Sequence, residues 1–140
     1  MKLLLTLLLF IPTLLFSQRI EKIDGKYKAK IEYSVDGKSV DYIFNNANSW
    51  IKSEFSKVEN YKETFYPKRK VLTGFVHNKK ISFQIEVICY NEHFITKFSN
   101  FYLKRKELKP KKISKMNQYL FELSGRMQKY IRYNEIPKKI

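Results

Sequence analysis

Hydrophobic periodicity along the chain predicts an α+β fold: two layers, with a curved five-stranded antiparallel sheet carrying two helices on one face. Three observations lead there. Residues 26–35 and 81–90 alternate apolar and polar side chains, residues 39–55 and 114–133 repeat apolar side chains at three- and four-residue steps, and short turns join the later strands. A period of two with one wet face belongs to an antiparallel strand packed on one side only. An amphipathic helix must also bury its stripe, so both helices are expected on the sheet's apolar side.

The first strand sets Tyr27, Ala29, Ile31, Tyr33 and Val35 on one face and Lys26, Lys28, Lys30, Glu32 and Ser34 on the other, and Asp36-Gly37 turns it. Ser39 is placed to cap a helix with Asp41 in its first turn. Val40, Ile43, Phe44, Ala47, Trp50, Ile51 and Phe55 form its stripe, with Trp50 at the edge as a packing residue. Four extended segments follow, at 61–66, 71–77, 81–90 and 93–102. They are separated by Pro67 with Lys68-Arg69-Lys70, by Asn78-Lys79-Lys80 and by Asn91-Glu92. Gly74 inside the second of them signals a bulge or a close backbone approach. The last strand carries apolar residues on both sides, Phe94 and Phe98 against Ile95 and Phe101, which leaves its facing open. A basic linker is expected at 103–112, then a helix over about 114–133 with Met116, Leu120, Leu123, Met127, Tyr130 and Ile131 on one face. Phe121 lies off that stripe, Gly125 weakens the helix middle, and Pro137 stops it.

Ahead of this domain, Met1 and Lys2 precede an almost unbroken apolar run from Leu3 to Phe16, and the small residue Ser17 stands before Gln18. That layout predicts a signal peptide over 1–17 and a single mature domain over 18–140, exported to the periplasm or the extracellular space. An uncleaved N-terminal anchor is the alternative. After cleavage no transmembrane span is expected. Cys89 is the single cysteine, so no internal disulfide can form. It sits in an apolar alternating run and reads as a small buried hydrophobe.

The formal net charge is +15, and residues 101–140 hold twelve Lys/Arg against Glu107, Glu122 and Glu135. Such an excess favours anionic partners by long-range attraction without naming one. For an exported chain, an anionic envelope polymer or lipid headgroups are the nearest partners, and export disfavours nucleic acid. Lys104, Arg105, Lys106, Lys109, Lys111 and Lys112, following Phe101-Tyr102, are the candidate anion-contact patch. A solvated, solubilising surface is the competing meaning of the same residues.

The chain resembles the domain of unknown function with a TBP-like fold that occurs in small exported bacterial proteins. The match is carried by Asp36-Gly37-Lys38, by Ala47-Asn48-Ser49-Trp50-Ile51 and by Leu72-Thr73-Gly74. It continues with Ile81-Ser82-Phe83-Gln84-Ile85-Glu86-Val87 and closes on Phe98-Ser99-Asn100-Phe101. It covers roughly 26–102. The segment Cys89-Tyr90-Asn91-Glu92-His93 departs from the pattern by lacking a glycine at the turn. The resemblance implies a saddle-like sheet with two helices and supplies no catalytic residue, cofactor or ligand.

Candidate chemistry is sparse. His77 and His93 flank turns with no Cys or carboxylate at ligand spacing, so no metal site is predicted. No nucleophile elbow or Gly-rich phosphate loop is present, and Glu54, Glu59 and Glu63 fall on separate elements. A non-catalytic, cofactor-free, monomeric or weakly associating binding or structural module at the cell envelope is the reading these features favour. The alternative is a small lipid or ligand carrier, or a hydrolase, using a helix-grip-like cavity lined by Tyr27, Tyr33, Phe83, Phe94 and Phe98.

Overall fold

A computed structural model describes residues 20–133, and the expected leader and Pro137 lie outside the described residues. In chain order the elements are β1 (Glu21–Ile23), β2 (Lys26–Ser34), α1 (Val40–Glu54), β3 (Lys57–Phe65), β4 (Lys70–Asn78), β5 (Ile81–Tyr90), β6 (His93–Leu103), β7 (Lys106–Glu107), a 3₁₀ turn (Pro110–Lys112) and α2 (Ile113–Tyr133). All strand pairings are antiparallel, in the order β1-β2-β6-β5-β4-β3, with β7 added to the end of β6. The two-layer α+β arrangement is as expected. The sheet has seven strands rather than five, because two short hairpins add β1 and β7 to its rim.

One apolar layer lies between the sheet and both helices. Ala29 and Ile31 of β2, Leu72 and Val76 of β4, Phe83, Ile85, Val87 and Cys89 of β5, and Phe94 and Phe98 of β6 face it from the sheet. The α1 and α2 stripes face it from the other side, and Trp50, expected at the edge of its stripe, is fully buried with its ring edge-on to Phe55 at 5.7 Å. Thr96 is buried on the same sheet face and donates to Met127 Sδ at 3.7 Å. Between the helices, Arg126 Nε donates to Glu54 Oε1 at 3.1 Å. The start of the described chain is tied down as well, since Ile20 N donates to Asn117 Oδ1 at 2.7 Å.

Local sequence explains the ends. Ser39 Oγ accepts from Tyr42 N at 3.2 Å, the cap expected of it. The β5–β6 turn has no glycine, and Glu92 takes a φ of 65°. It is held by the β2–α1 loop: Gly37 N donates to Glu92 Oε1 at 3.0 Å and Val40 N to Asn91 Oδ1 at 2.9 Å. The side chains of this turn thus satisfy amides at the start of α1, which a Gly-containing turn would not do.

Two bulges shape the sheet. In β3, which begins at Lys57 rather than near Tyr61, the register shifts between Glu59 and Lys62, opposite Gly74. A Cβ on Gly74 would lie 2.9 Å from Val58 Cγ1 and 3.1 Å from Tyr61 Cδ1, so the close approach expected there is real. In β6, Asn100 and Phe101 together stand opposite Phe83, with Asn100 at a φ of 51°. That extra residue breaks the alternation after Phe98. Phe101 turns into the core and Tyr102 is left on the outer face, which is why apolar residues of this strand look two-sided in sequence.

The segment expected as a linker, 103–112, is ordered structure. Leu103 pairs with Lys106 around a two-residue turn, Leu108 is buried, and the 3₁₀ turn leads into α2. Phe121 is 61% exposed, away from the core.

The two interior glycines are expected to respond oppositely to alanine. A methyl group on Gly125 would meet nothing within 4 Å, so Gly125→Ala should raise stability by about 1 kcal/mol. Gly74→Ala should cost about 1–3 kcal/mol, because the side chains of Val58 and Tyr61 must shift. Urea midpoints of the two variants against the parent check both signs.

Candidate functional site

Both helices cover the same sheet face, so the outer side of β4, β5 and β6 carries no second layer among the described residues. Side chains on that outer side stand in rows set by strand register. One row runs Tyr102, Ser82, His77 and Lys57 across β6, β5, β4 and β3. Phe75 and Gln84 stand in the next row. Over these rows lies an open groove of about 880 Å³, within the roughly 300–1,000 Å³ typical of ligand sites.

The groove floor is aromatic. Phe75 meets the His77 ring at 5.1 Å with an interplanar angle of 77°, and the Tyr102 ring at 5.9 Å with 73°. Its rim is cationic, with Lys79 and Lys80 from the β4–β5 turn and Lys104 and Arg105 from the β6–β7 turn. A single backbone hydrogen bond clamps the turns together: Lys104 N donates to Lys80 O at 2.8 Å. Lys104 and Arg105 have φ of 53° and 67°, the paired left-handed geometry of a tight type I′ hairpin. Asn-Gly is favoured there, so Lys and Arg occupy these positions against local preference. Among the described residues none of the four rim cations has a carboxylate within ion-pair range, and no carboxylate lines the groove.

At one end of the floor His77 Nδ1 lies 2.8 Å from Ser82 Oγ, and its Nε2 lies 3.4 Å from Glu59 Oε2. Hydrogen bonding from Lys57 first, then from His77, lowers the Glu59 pKa from its ordinary value. The sequence offered no nucleophile beside a histidine, and the structure supplies one by cross-strand pairing. Ser82 is paired on both edges of β5, and backbone amides in a sheet point along it into the ladder rather than out of its face.

The six residues of the expected patch are all exposed but do not act as one surface. Lys104 and Arg105 reach the groove. Lys112 lines a separate, smaller depression beside α2, with Ile81, Met116 and Tyr119, while Lys106, Lys109 and Lys111 line neither. Tyr102 adjoins the patch expected from sequence; the groove residues missed there, Lys57, Phe75, His77, Lys79, Lys80 and Ser82, lie on three strands and the turn between two of them. Two basic pairs at tight turns, Lys79-Lys80 and Lys104-Arg105, were the legible signal, but only register shows that they converge.

The other candidates are dispersed. Glu54 contacts Arg126, Glu63 accepts from Asn48 Nδ2 at 2.9 Å, and Glu59 belongs to the His77 contact. His93 stacks on Tyr90 at 4.5 Å beside the turn. Among the described residues no group of three His, Cys, Asp or Glu is close enough to hold a metal, and no helix is long and apolar enough to cross a membrane.

Comparison with known proteins bears on the fold. The chain is similar to a TBP-like protein from Parabacteroides distasonis, with a TM-score of 0.59 and 14% identity over 81% of this chain and 97% of that one. It is also similar to a DUF4468 family protein from Bacteroides ovatus, with a TM-score of 0.51 and 13% identity over 86% of this chain and 94% of that one. No family model and no curated protein matches the sequence.

Cys89 is fully buried, as expected, and burial pushes its thiol up to about 12. Tyr33 and Tyr119 are also raised, in each case chiefly by burial. These folded-state pKa values lie above the unfolded ones, so the associated stability is intact below about pH 9 and drains away as pH climbs towards 12. Thiol reagents at pH 8 should leave Cys89 unmodified in the native protein and label it fully in urea. Urea midpoints should fall steadily from pH 9 to 11.

Proposed function

The fold is TBP-like, and on it we propose an exported, non-catalytic binding module that holds an anionic partner at the cell envelope through the groove on its open sheet face. The carrying observation is the clamp between Lys104 N and Lys80 O, which gathers two basic turns around one aromatic floor. Four rim cations without an ion-paired carboxylate make a site that attracts negative charge, while Glu59 is paired with Lys57 and His77 at one end of the floor. The use of Lys104 and Arg105 in a turn that prefers Asn-Gly supports the same reading, since those side chains give up local stability for position. Export rests on the leader-like layout of residues 1–17.

A hydrolase is the second reading, and the Ser82–His77 contact is what favours it. Against it stands the ladder commitment of the surrounding amides. Carriage of a lipid has less behind it: Phe83, Phe94 and Phe98, proposed as cavity lining, are fully buried against the helices.

Two measurements test the proposal. Replacing Lys79, Lys80, Lys104 and Arg105 by Gln should lower the salt at which heparin releases the protein, with the log–log salt slope falling by about 0.7–0.9 for each cation withdrawn from the anion. Replacing Lys109, Lys111 and Lys112 by Gln should do much less. The pair Lys104→Asn with Arg105→Gly should weaken retention while raising the melting temperature. Equal retention by all variants would sink the groove as the contact surface. For the address, fractionation of native cells should find the mature protein outside the cytoplasm, starting near Gln18; a full-length cytoplasmic product would refute export.

A further inference from the structure

Resting on the anion-binding reading, we infer that His77 is a proton switch for this groove: a proton taken up by its ring strengthens the hold on an anion, and a bound anion keeps that proton in place. The histidine stands in the groove lining, in one cross-strand row between Lys57 of β3 and Ser82 of β5. Its two ring nitrogens meet different partners. Nδ1 lies 2.8 Å from Ser82 Oγ, a hydroxyl that can donate or accept. Nε2 is closed off from water, and Glu59 Oε2 stands 3.4 Å from it, longer than the roughly 2.7–2.9 Å of a charge-assisted bond.

Protonation changes the charge of this corner by one full unit. With a neutral ring, Lys57 and Glu59, paired at 3.0 Å, cancel each other. A charged ring donates from both nitrogens, to Ser82 Oγ and to Glu59, and Lys57, Glu59 and His77 then carry one net positive charge between them. Glu59 is held ionised, because hydrogen bonding from Lys57 first, then from His77, lowers its pKa. Its carboxylate therefore keeps its charge across the range, about pH 5–8, in which an imidazole ordinarily changes its own.

The charged groups around the ring act in opposite directions. Glu59 favours the proton. Lys57 from β3, Lys79 and Lys80 from the β4–β5 turn, and Lys104 and Arg105 from the β6–β7 turn oppose it. Phe75, Ser82 and Tyr102, which complete its surroundings, are neutral side chains. An anion seated over the groove offsets the five cations and leaves the attraction of Glu59 unopposed, so proton and anion favour each other. Such coupling is reciprocal: the factor by which the proton tightens the anion equals the factor by which the anion raises the ring's affinity for the proton. It depends on the anion's charge alone.

The second histidine supplies a control, since His93 stacks on Tyr90 beside the β5–β6 turn, at the other end of the strands. Sucrose octasulfate keeps its charge throughout this range and serves as the probe. Its dissociation constant for the mature protein, measured by calorimetry at constant ionic strength, should rise about five- to tenfold from pH 5.5 to pH 8. The His77 ring C–H resonance should titrate with a midpoint that moves up, at saturating probe, by about the logarithm of the same factor. His77→Gln, which keeps a hydrogen-bonding side chain but cannot take the proton, should bind with one affinity across the range, while His93→Gln should keep the parent's dependence. Glu59→Gln removes the group that favours the proton and should move the dependence to lower pH. Near-ultraviolet circular dichroism verifies that all three variants fold. Equal affinity at pH 5.5 and pH 8 in the parent, a midpoint unmoved by the probe, or an undiminished pH dependence in His77→Gln would overturn the switch and leave the anion-binding reading standing. No binding of the probe at either pH would overturn both.

Discussion

Phe83 is the point on which the two layers meet, and the rest of the architecture depends on its burial. It is fully enclosed and touches Phe55 at the end of α1, Phe98 and Phe101 of β6, and Tyr119 of α2, with ring centroids between 5.5 and 6.2 Å apart. The pairs with Phe55, Phe98 and Tyr119 are edge-to-face, and such pairs add about 0.5–1.5 kcal/mol each beyond the area they bury. With a single cysteine there is no internal disulfide to share that task, so the helices stay on the sheet through packing. Because both helices are used on one face, the other carries no second layer among the described residues.

The bulge opposite Phe83 links the core to the outer sheet face. Turning Phe101 inward completes the aromatic cluster, and the same turn of the chain sends Tyr102 outward beside Phe75. It also carries the β6–β7 turn alongside the β4–β5 turn, where Lys104 N reaches Lys80 O. A core requirement and a surface arrangement thus come from one extra residue. Gly74 plays the corresponding part near the free edge, where only a hydrogen side chain fits against Val58 and the β3 bulge, and that bulge makes β3 a poor template for further strand addition.

The contact between Ser82, His77 and Glu59 illustrates how strand register alone can bring together a serine, a histidine and a carboxylate. Ser82 and His77 are directly opposite residues, and Glu59 is a diagonal neighbour one strand further on. Such pairs are routine in antiparallel sheets, worth roughly 0.2–1 kcal/mol each. A working trio also needs donors aimed at the developing oxyanion, and a sheet face directs its amides elsewhere.

The sequence alone determined the class and the order of the two helices and five long strands, since the alternation of β2 and β5 and the stripes of both helices are local periodicities that burial on one side imposes. It also determined the N-cap at Ser39, the tightness at Gly74 and the inertness of Cys89, each the property of one residue and its neighbours. Tertiary structure decided which basic residues stand together around the outer-face groove. Lys104 and Arg105 parted company with Lys109, Lys111 and Lys112 because a two-residue hairpin, hidden in what reads as a linker, folds back on Leu103. Lys79 and Lys80 joined them from a distant part of the chain through strand pairing. Facing in β6 was undecidable beforehand because a bulge inverts the alternation without a clear mark in the sequence. The site belongs to the second group for one physical reason: it is assembled from side chains on four strands, and their proximity is set by hydrogen-bond register between strands rather than by spacing along any one of them.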